Sequence, residues 1–224
     1  MKKIIKKLNM KKFAITALMV CIGINSLVAQ SSSKAKTLLD EVYTKVKSYN
    51  NLYIDFKFEL DNKTEGIHQE TKGNVTIDGD KYVLNYLGAT KIFDGHKIYT
   101  IIPDNEEVTI ENKGADDEGT ITPSKMLTFY KDGYNYKWKE SKNIKGREIQ
   151  FIELVPISAN AEVTNLLLGI DTQTKHIYSL VENGKNGTAT TITVNTMKTN
   201  QPLPKNTFVF NKDKYKKLGY YISE

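Results

Sequence analysis

Three histidines, His68, His96 and His176, are the residues first weighed for acid–base or metal chemistry, and their placement offers neither. They lie far apart in the chain, and no HExxH pair puts two imidazoles on one helix face. Each falls on a predicted strand or beside a predicted turn, and a surface position is the simpler reading. No GxSxG elbow raises a nucleophilic serine, and no glycine-rich loop is present to cradle a phosphate. Asp78-Gly79 and Asp94-Gly95 read as turns. Asp116-Asp117-Glu118 lacks the ligand spacing of a calcium loop and reads as solvated. A glycosidase-like carboxylate pair would have to be marked by its surroundings, and the sequence marks none. A secreted hydrolase with an unrecognised acidic site is therefore the weaker reading, and no metal or cofactor is implied.

The only cysteine, Cys21, falls inside an apolar run, Phe13–Val28, that follows six lysines. The run closes on Val28-Ala29-Gln30, the pattern of a cleavable export signal. Residues 1–29 are read as that signal and residues 30–224 as a single domain. Met10-Lys11-Lys12 makes a complete basic start by itself, so Met1 and Met10 both stand as initiators. The alternative, lipidation at Cys21, is opposed by bulky Val20 where a lipobox has a small residue. Without the leader no thiol remains for disulfides, nucleophilic attack or metal binding.

The charge also belongs to the leader. Six of the 32 basic residues and none of the 26 acidic ones precede residue 30, which leaves 26 of each beyond it. The pI near 9.1 therefore gives no argument for nucleic acid as a partner. About 195 residues remain, enough for one substantial core.

In Lys34–Tyr49 the residues Ala35, Leu38, Leu39, Val42, Val46 and Tyr49 recur at three- and four-residue intervals, which predicts a one-faced helix. From Leu52 to Leu60 the period changes to two, with Ile54, Phe56 and Phe58 on one face of a strand. Further strands are predicted at Gly73–Ile77, Lys81–Leu87, Lys91–Phe93, Lys97–Ile102, Glu107–Glu111, Tyr134–Lys139, Glu148–Val155, Val163–Asp171, His176–Glu182, Thr188–Met197 and Thr207–Phe210. Lys113–Gly119 reads as a polar loop. Thr122-Pro123 reads as a cap and first-turn proline for a short helix ending near Gly133.

The expected fold class is mainly β (α+β): an unclosed antiparallel β-barrel, or strongly curved sheet, of about ten strands. The N-terminal helix and the short central helix must bury their apolar faces, and together they would act as a lid on its concave side. Between them lie the residues that could line an interior: Leu38, Leu39, Val42, Val46, Ile54, Phe56, Phe58, Tyr82, Leu84, Phe93, Met126, Leu127, Phe129, Tyr130, Trp138 and Phe151. They could fill a core or surround a cavity for acyl chains, and periodicity does not distinguish the two.

The order of segments resembles that of the periplasmic outer-membrane lipoprotein carriers, the LolA family. The resemblance runs from the helix before Leu52 to Phe208-Val209-Phe210. It passes through Gly73-Asn74-Val75, Lys81-Tyr82-Val83-Leu84, Ile92-Phe93-Asp94-Gly95-His96-Lys97-Ile98-Tyr99, Glu107-Val108-Thr109-Ile110, Thr122-Pro123, Leu154-Val155-Pro156 and Gly169-Ile170-Asp171. The resemblance implies a monomeric periplasmic chaperone of a Gram-negative bacterium, with acylated lipoproteins as cargo. It also implies an inner-membrane lipoprotein-releasing complex as donor and an outer-membrane acceptor. A lipid- or lipoprotein-sensing regulator on the same fold is the alternative. The family's lid-holding arginine lies on an early strand. Here the single arginine, Arg147, is on a later one, and the tail Lys212–Glu224 lacks the Pro-Gly ending. At about 0.8 kcal/mol per methylene, exposing three chains of roughly fifteen methylenes would cost on the order of 35 kcal/mol, so such cargo needs an enclosure.

Overall fold

The computed structural model describes residues 30–112 and 122–224. The export signal read in 1–29 and the acidic loop Asp116-Asp117-Glu118 lie outside the described residues. Helix α1, over 30–47, carries the predicted apolar stripe: Ala35, Leu38, Leu39, Val42 and Val46 are all buried. Burial of each of the larger ones contributes about 1.5–3 kcal/mol.

Among the described residues, twelve strands form one sheet: β1 (Asn51–Asn62), β2 (Ile67–Asp78), β3 (Lys81–Tyr86), β4 (Ala89–Phe93), β5 (Lys97–Ile102), β6 (Glu107–Asn112), β7 (Tyr134–Ile144), β8 (Arg147–Pro156), β9 (Val163–Asp171), β10 (Ile177–Gly184), β11 (Thr188–Thr199) and β12 (Tyr221–Ser223). Their order is β12-β6-β5-β4-β3-β2-β1-β11-β10-β9-β8-β7, with β12 and β7 as the two edges, so the barrel is not closed. Leu52, Val75 and Phe93 from one half share a core with Ile152, Leu154 and Leu168 from the other. The sheet therefore curls around its contents, as a long antiparallel meander tends to do.

The expected strands are present, with one exception, and several are longer. The outer half of β2, His68 to Lys72, is almost wholly exposed, and no alternation marks it. It is held by backbone pairing to β1. The tail differs most. Thr207–Phe210 is not a strand: Thr207 and Val209 donate to the carbonyls of Pro204 and Asn206 in successive turns. Phe210 instead stacks between Tyr99 and Tyr215, at 4.6 and 5.4 Å between ring centres. Asn211 then caps helix α3 (Lys212–Lys217), its side-chain oxygen accepting the Lys214 N–H at 2.9 Å. The chain returns as β12, which pairs in parallel with β6.

The central helix is shorter than expected. The hydroxyl of Thr122 caps α2 (Pro123–Met126), accepting the Lys125 N–H at 3.3 Å, and the chain breaks into a 3-10 turn at Phe129–Lys131. Tyr136 of β7 anchors that turn, its hydroxyl bonding the carbonyls of Tyr130 (2.9 Å) and Lys131 (2.8 Å). Lys131 reaches over the ring of Tyr43 on α1, 3.7 Å from its centre. Tyr130 is fully buried, and its hydroxyl has no hydrogen-bond partner among the described residues. Burial drives its ionisation well above the ordinary tyrosine range. Tyr130→Phe is expected to stabilise the protein by about 1 kcal/mol, since an orphaned polar group is removed. Thermal unfolding should then rise by about 2–4 °C.

Candidate functional site

Between the sheet and α2 lies a cavity of about 360 Å³. Its walls come from alternating positions of neighbouring strands. Ile54, Phe56 and Phe58 of β1 stand beside Val75 and Ile77 of β2 and Leu84 and Tyr86 of β3. Leu180 of β10 and Ile192, Val194 and Met197 of β11 complete the far side. Pro123, Met126, Leu127 and Phe129 form the roof. The polar exceptions are Glu182 and Thr190, directly opposite one another in the β10–β11 ladder.

The width of the floor depends on a glycine. Phe56 lies across Gly73, its ring carbon Cζ 2.5 Å from where a Cβ would stand, with the Asn85 carbonyl at 2.8 Å. Phe58 meets Tyr86 edge-on at 5.2 Å.

Of the sixteen interior residues expected from sequence, Ile54, Phe56, Phe58, Leu84, Met126, Leu127 and Phe129 are brought to this cavity. Leu38, Leu39, Val42, Val46, Tyr82, Phe93 and Tyr130 pack in the adjoining solid core. Trp138 sits under the start of α1, its backbone N–H donated to Ser31 Oγ (3.0 Å) and Lys34 over its ring. Phe151 faces away, since alternation along β8 puts it opposite Ile152 and Leu154, and it packs over Gly169. Val75, Ile77, Tyr86, Leu168, Ile177, Leu180, Ile192, Val194 and Met197 line the cavity in addition to the expected set. Ile192 and Val194 alternate with threonines, a signal present in the sequence. Glu182 has none.

The histidines do not converge. His68 is exposed beside Asp61, 2.6 Å away, and His96 is exposed at a turn. His176 departs from the surface expectation: it is half-buried, with Nε2 2.8 Å from the Tyr49 hydroxyl just past the end of α1. Burial, and then the charge of Lys45, lower its proton affinity. Lys175 pairs with Glu41 at 2.7 Å and ties the same turn to α1. Asp94 is a turn residue, accepting the N–H groups of His96 (2.7 Å) and Lys97 (2.8 Å) and the Tyr99 hydroxyl (2.9 Å). Among the described residues no cluster of His, Cys, Asp or Glu could hold a metal.

An apolar chamber inside an unclosed, helix-covered β-sheet defines a class of open-barrel proteins. The chain belongs to the family of the outer membrane lipoprotein carrier protein LolA, whose family model matches residues 47–211. No curated protein matches its sequence. Its fold is similar to that of the Mycobacterium tuberculosis lipoprotein LppX, at 14% identity and a TM-score of 0.51, over 78% of this chain and 99% of that one. An uncharacterised conserved protein from Thermus thermophilus is also similar, at 10% identity and a TM-score of 0.51, over 80% and 96%. A LolA superfamily protein from Nitrosomonas europaea matches at 11% identity and a TM-score of 0.39, over 80% and 98%.

Proposed function

We propose that this protein is a periplasmic chaperone that holds acyl chains of lipoproteins in the cavity and carries them from the inner to the outer membrane. It would act as a monomer, loaded by an inner-membrane releasing complex and emptied by an outer-membrane acceptor, with no catalytic step. The observation that carries this reading is the lining: apolar apart from Glu182 and Thr190, and roofed by a helix of four residues. An apolar, largely preformed chamber favours a hydrocarbon ligand.

The volume adds a constraint. At roughly 30 Å³ for a group the size of water, about 360 Å³ holds about a dozen methylenes. That is most of one acyl chain. A triacylated cargo requires the roof of Met126, Leu127 and Phe129 to lift, and a roof this short has little helix to break.

Gentle purification from the native envelope, followed by mass spectrometry, tests the reading. Intact acylated lipoprotein should accompany the protein, and its depletion should leave lipoproteins in the inner membrane. An empty protein, together with unchanged sorting on depletion, would sink the proposal.

A further inference from the structure

The sheet wall behind the cavity contains a break. The ladder between β10 and β11 ends at Ser179 and Thr193, although β11 continues to Thr199 against β1. Both strands are irregular at this level. In β10 the register against β9 shifts between Ile177 and Ser179, leaving Tyr178 as an extra residue. In β11 the register against β1 shifts at Asp55/Phe56, leaving Asn195 extra. Bulges bend a strand and re-aim side chains, and at this same level the β10–β11 ladder stops, at the third residue of β10.

A recess of about 160 Å³ occupies the break, and Tyr178 and Asn195 both line it. Ile177, Val194 and Met197 line this recess and also the apolar cavity, so these three side chains separate the two spaces. The outer end is polar. Arg147, the single arginine, places its guanidinium 5.0 Å from the centre of the Tyr178 ring and has no ion-pair partner among the described residues. Asp171 is the opposing charge in the recess. It is buried, and one carboxylate oxygen already accepts the N–H groups of Gln173 (3.0 Å) and Thr174 (3.1 Å). His176 is engaged with Tyr49, and Asn195 donates to Asp55 at 3.0 Å. Arg147 is thus the always-charged cation lining the recess, free of a carboxylate partner among the described residues, with the hydroxyls of Thr174 and Tyr178 beside it. A guanidinium resting on an aromatic face is well suited to a carboxylate or phosphate.

We propose that this break is a lateral portal into the cavity and a head-group site: the anionic head of an amphiphile binds Arg147 while its chain passes between Ile177, Val194 and Met197. The proposal rests on the acyl-binding reading of the cavity and adds to it a ligand class, acyl chains bearing an anion, and an orientation. The head would leave through the sheet wall, where Arg147 offsets the Asp171 carboxylate, and away from Glu182, whose carboxylate faces the cavity with no cation in the lining.

Fluorescence titration of the purified protein with cis-parinaric acid and with its methyl ester tests both levels. The two probes share a chain and differ in head charge. Arg147→Gln should weaken the acid by about tenfold, the range of a hydrogen bond to a charged group, and Arg147→Glu should weaken it further. Arg147→Lys should restore part of the affinity, and ester binding should stay within about twofold throughout. Arg147 is exposed at the start of β8, so these variants retain the fold, which circular dichroism checks. Displacement of the probe by oleic acid and by oleoyl lysophosphatidic acid then distinguishes carboxylate from phosphate as the head. Arg147-dependent displacement by either one supports the site. Acid and ester affinities that ignore Arg147, or an acid affinity that rises in Glu182→Gln and is unmoved by Arg147, would overturn the portal while leaving the cavity reading intact. Failure of the methyl ester to bind the unaltered protein would overturn the cavity reading itself.

Discussion

Phe58→Glu is expected to abolish acyl-chain binding and leave a folded protein. Phe58 is half-buried, lines the cavity, and meets Tyr86 edge-on at 5.2 Å. Removing that ring contact costs about 0.5–1.5 kcal/mol of stability, so thermal unfolding should fall by only a few degrees. The effect on a ligand is larger. An acyl chain seated against the introduced carboxylate would have to bury that charge without a partner, a cost of several kcal/mol. Affinity for a fluorescent fatty acid should therefore drop by about a hundredfold or more. Leu39→Glu separates packing from lining. Leu39 is only 2% exposed and belongs to the solid core, so a charge there should unfold the chain. Uptake by Phe58→Glu equal to that of the unaltered protein would remove β1 from the binding wall.

Gly73→Val is expected to give the largest change in stability away from the main core. A Cβ at this position would stand 2.5 Å from the Phe56 ring and 2.8 Å from the Asn85 carbonyl. The ring can swing, but the carbonyl belongs to the neighbouring strand β3, whose Asn85 is paired opposite Asn74. Overpacking of this kind costs about 1–3 kcal/mol or more. At about 2–4 °C per kcal/mol for a chain of this size, unfolding should move down by roughly 2–12 °C. Displacing Phe56 also narrows the cavity floor, so acyl binding should weaken in the same variant. An unchanged melting temperature would mean that Phe56 does not lie over Gly73.

The cavity is only partly legible in the sequence. Ile54, Phe56 and Phe58 are readable because β1 alternates cleanly, and Met126, Leu127 and Phe129 because a capped proline helix must bury something. Trp138 and Phe151 mislead for different reasons. Trp138 is on an inward face but under the start of α1, where it lines an open recess with Ser33, Lys34 and Thr37 instead of the cavity beneath α2. Phe151 is apolar and buried, yet on the outer face of a strand with apolar residues on both sides. A run such as Ile149-Gln150-Phe151-Ile152 does not declare which side is inward, and one residue of slip exchanges them. The tail misleads because Phe208-Val209-Phe210 looks like a strand, whereas Pro204 and the Asn206 turn before it and ring stacking after it carry Phe210 off the ladder.

By itself, then, the sequence determined the run of elements: one amphipathic helix, a long antiparallel meander too extensive to stay flat, the turns at Asp78-Gly79 and Asp94-Gly95, and the capped central helix. These follow from local periodicity and turn chemistry, which act over a few residues. Only the tertiary structure decided that α1 meets a filled core while the short α2 roofs a void, and that β10 and β11 part at Tyr178 and Asn195. Empty volume and a break in a ladder depend on how residues more than a hundred positions apart approach one another, as Asp55 and Asn195 do. Where alternation is clean, periodicity fixes the side a residue faces, and only packing fixes what stands across from it.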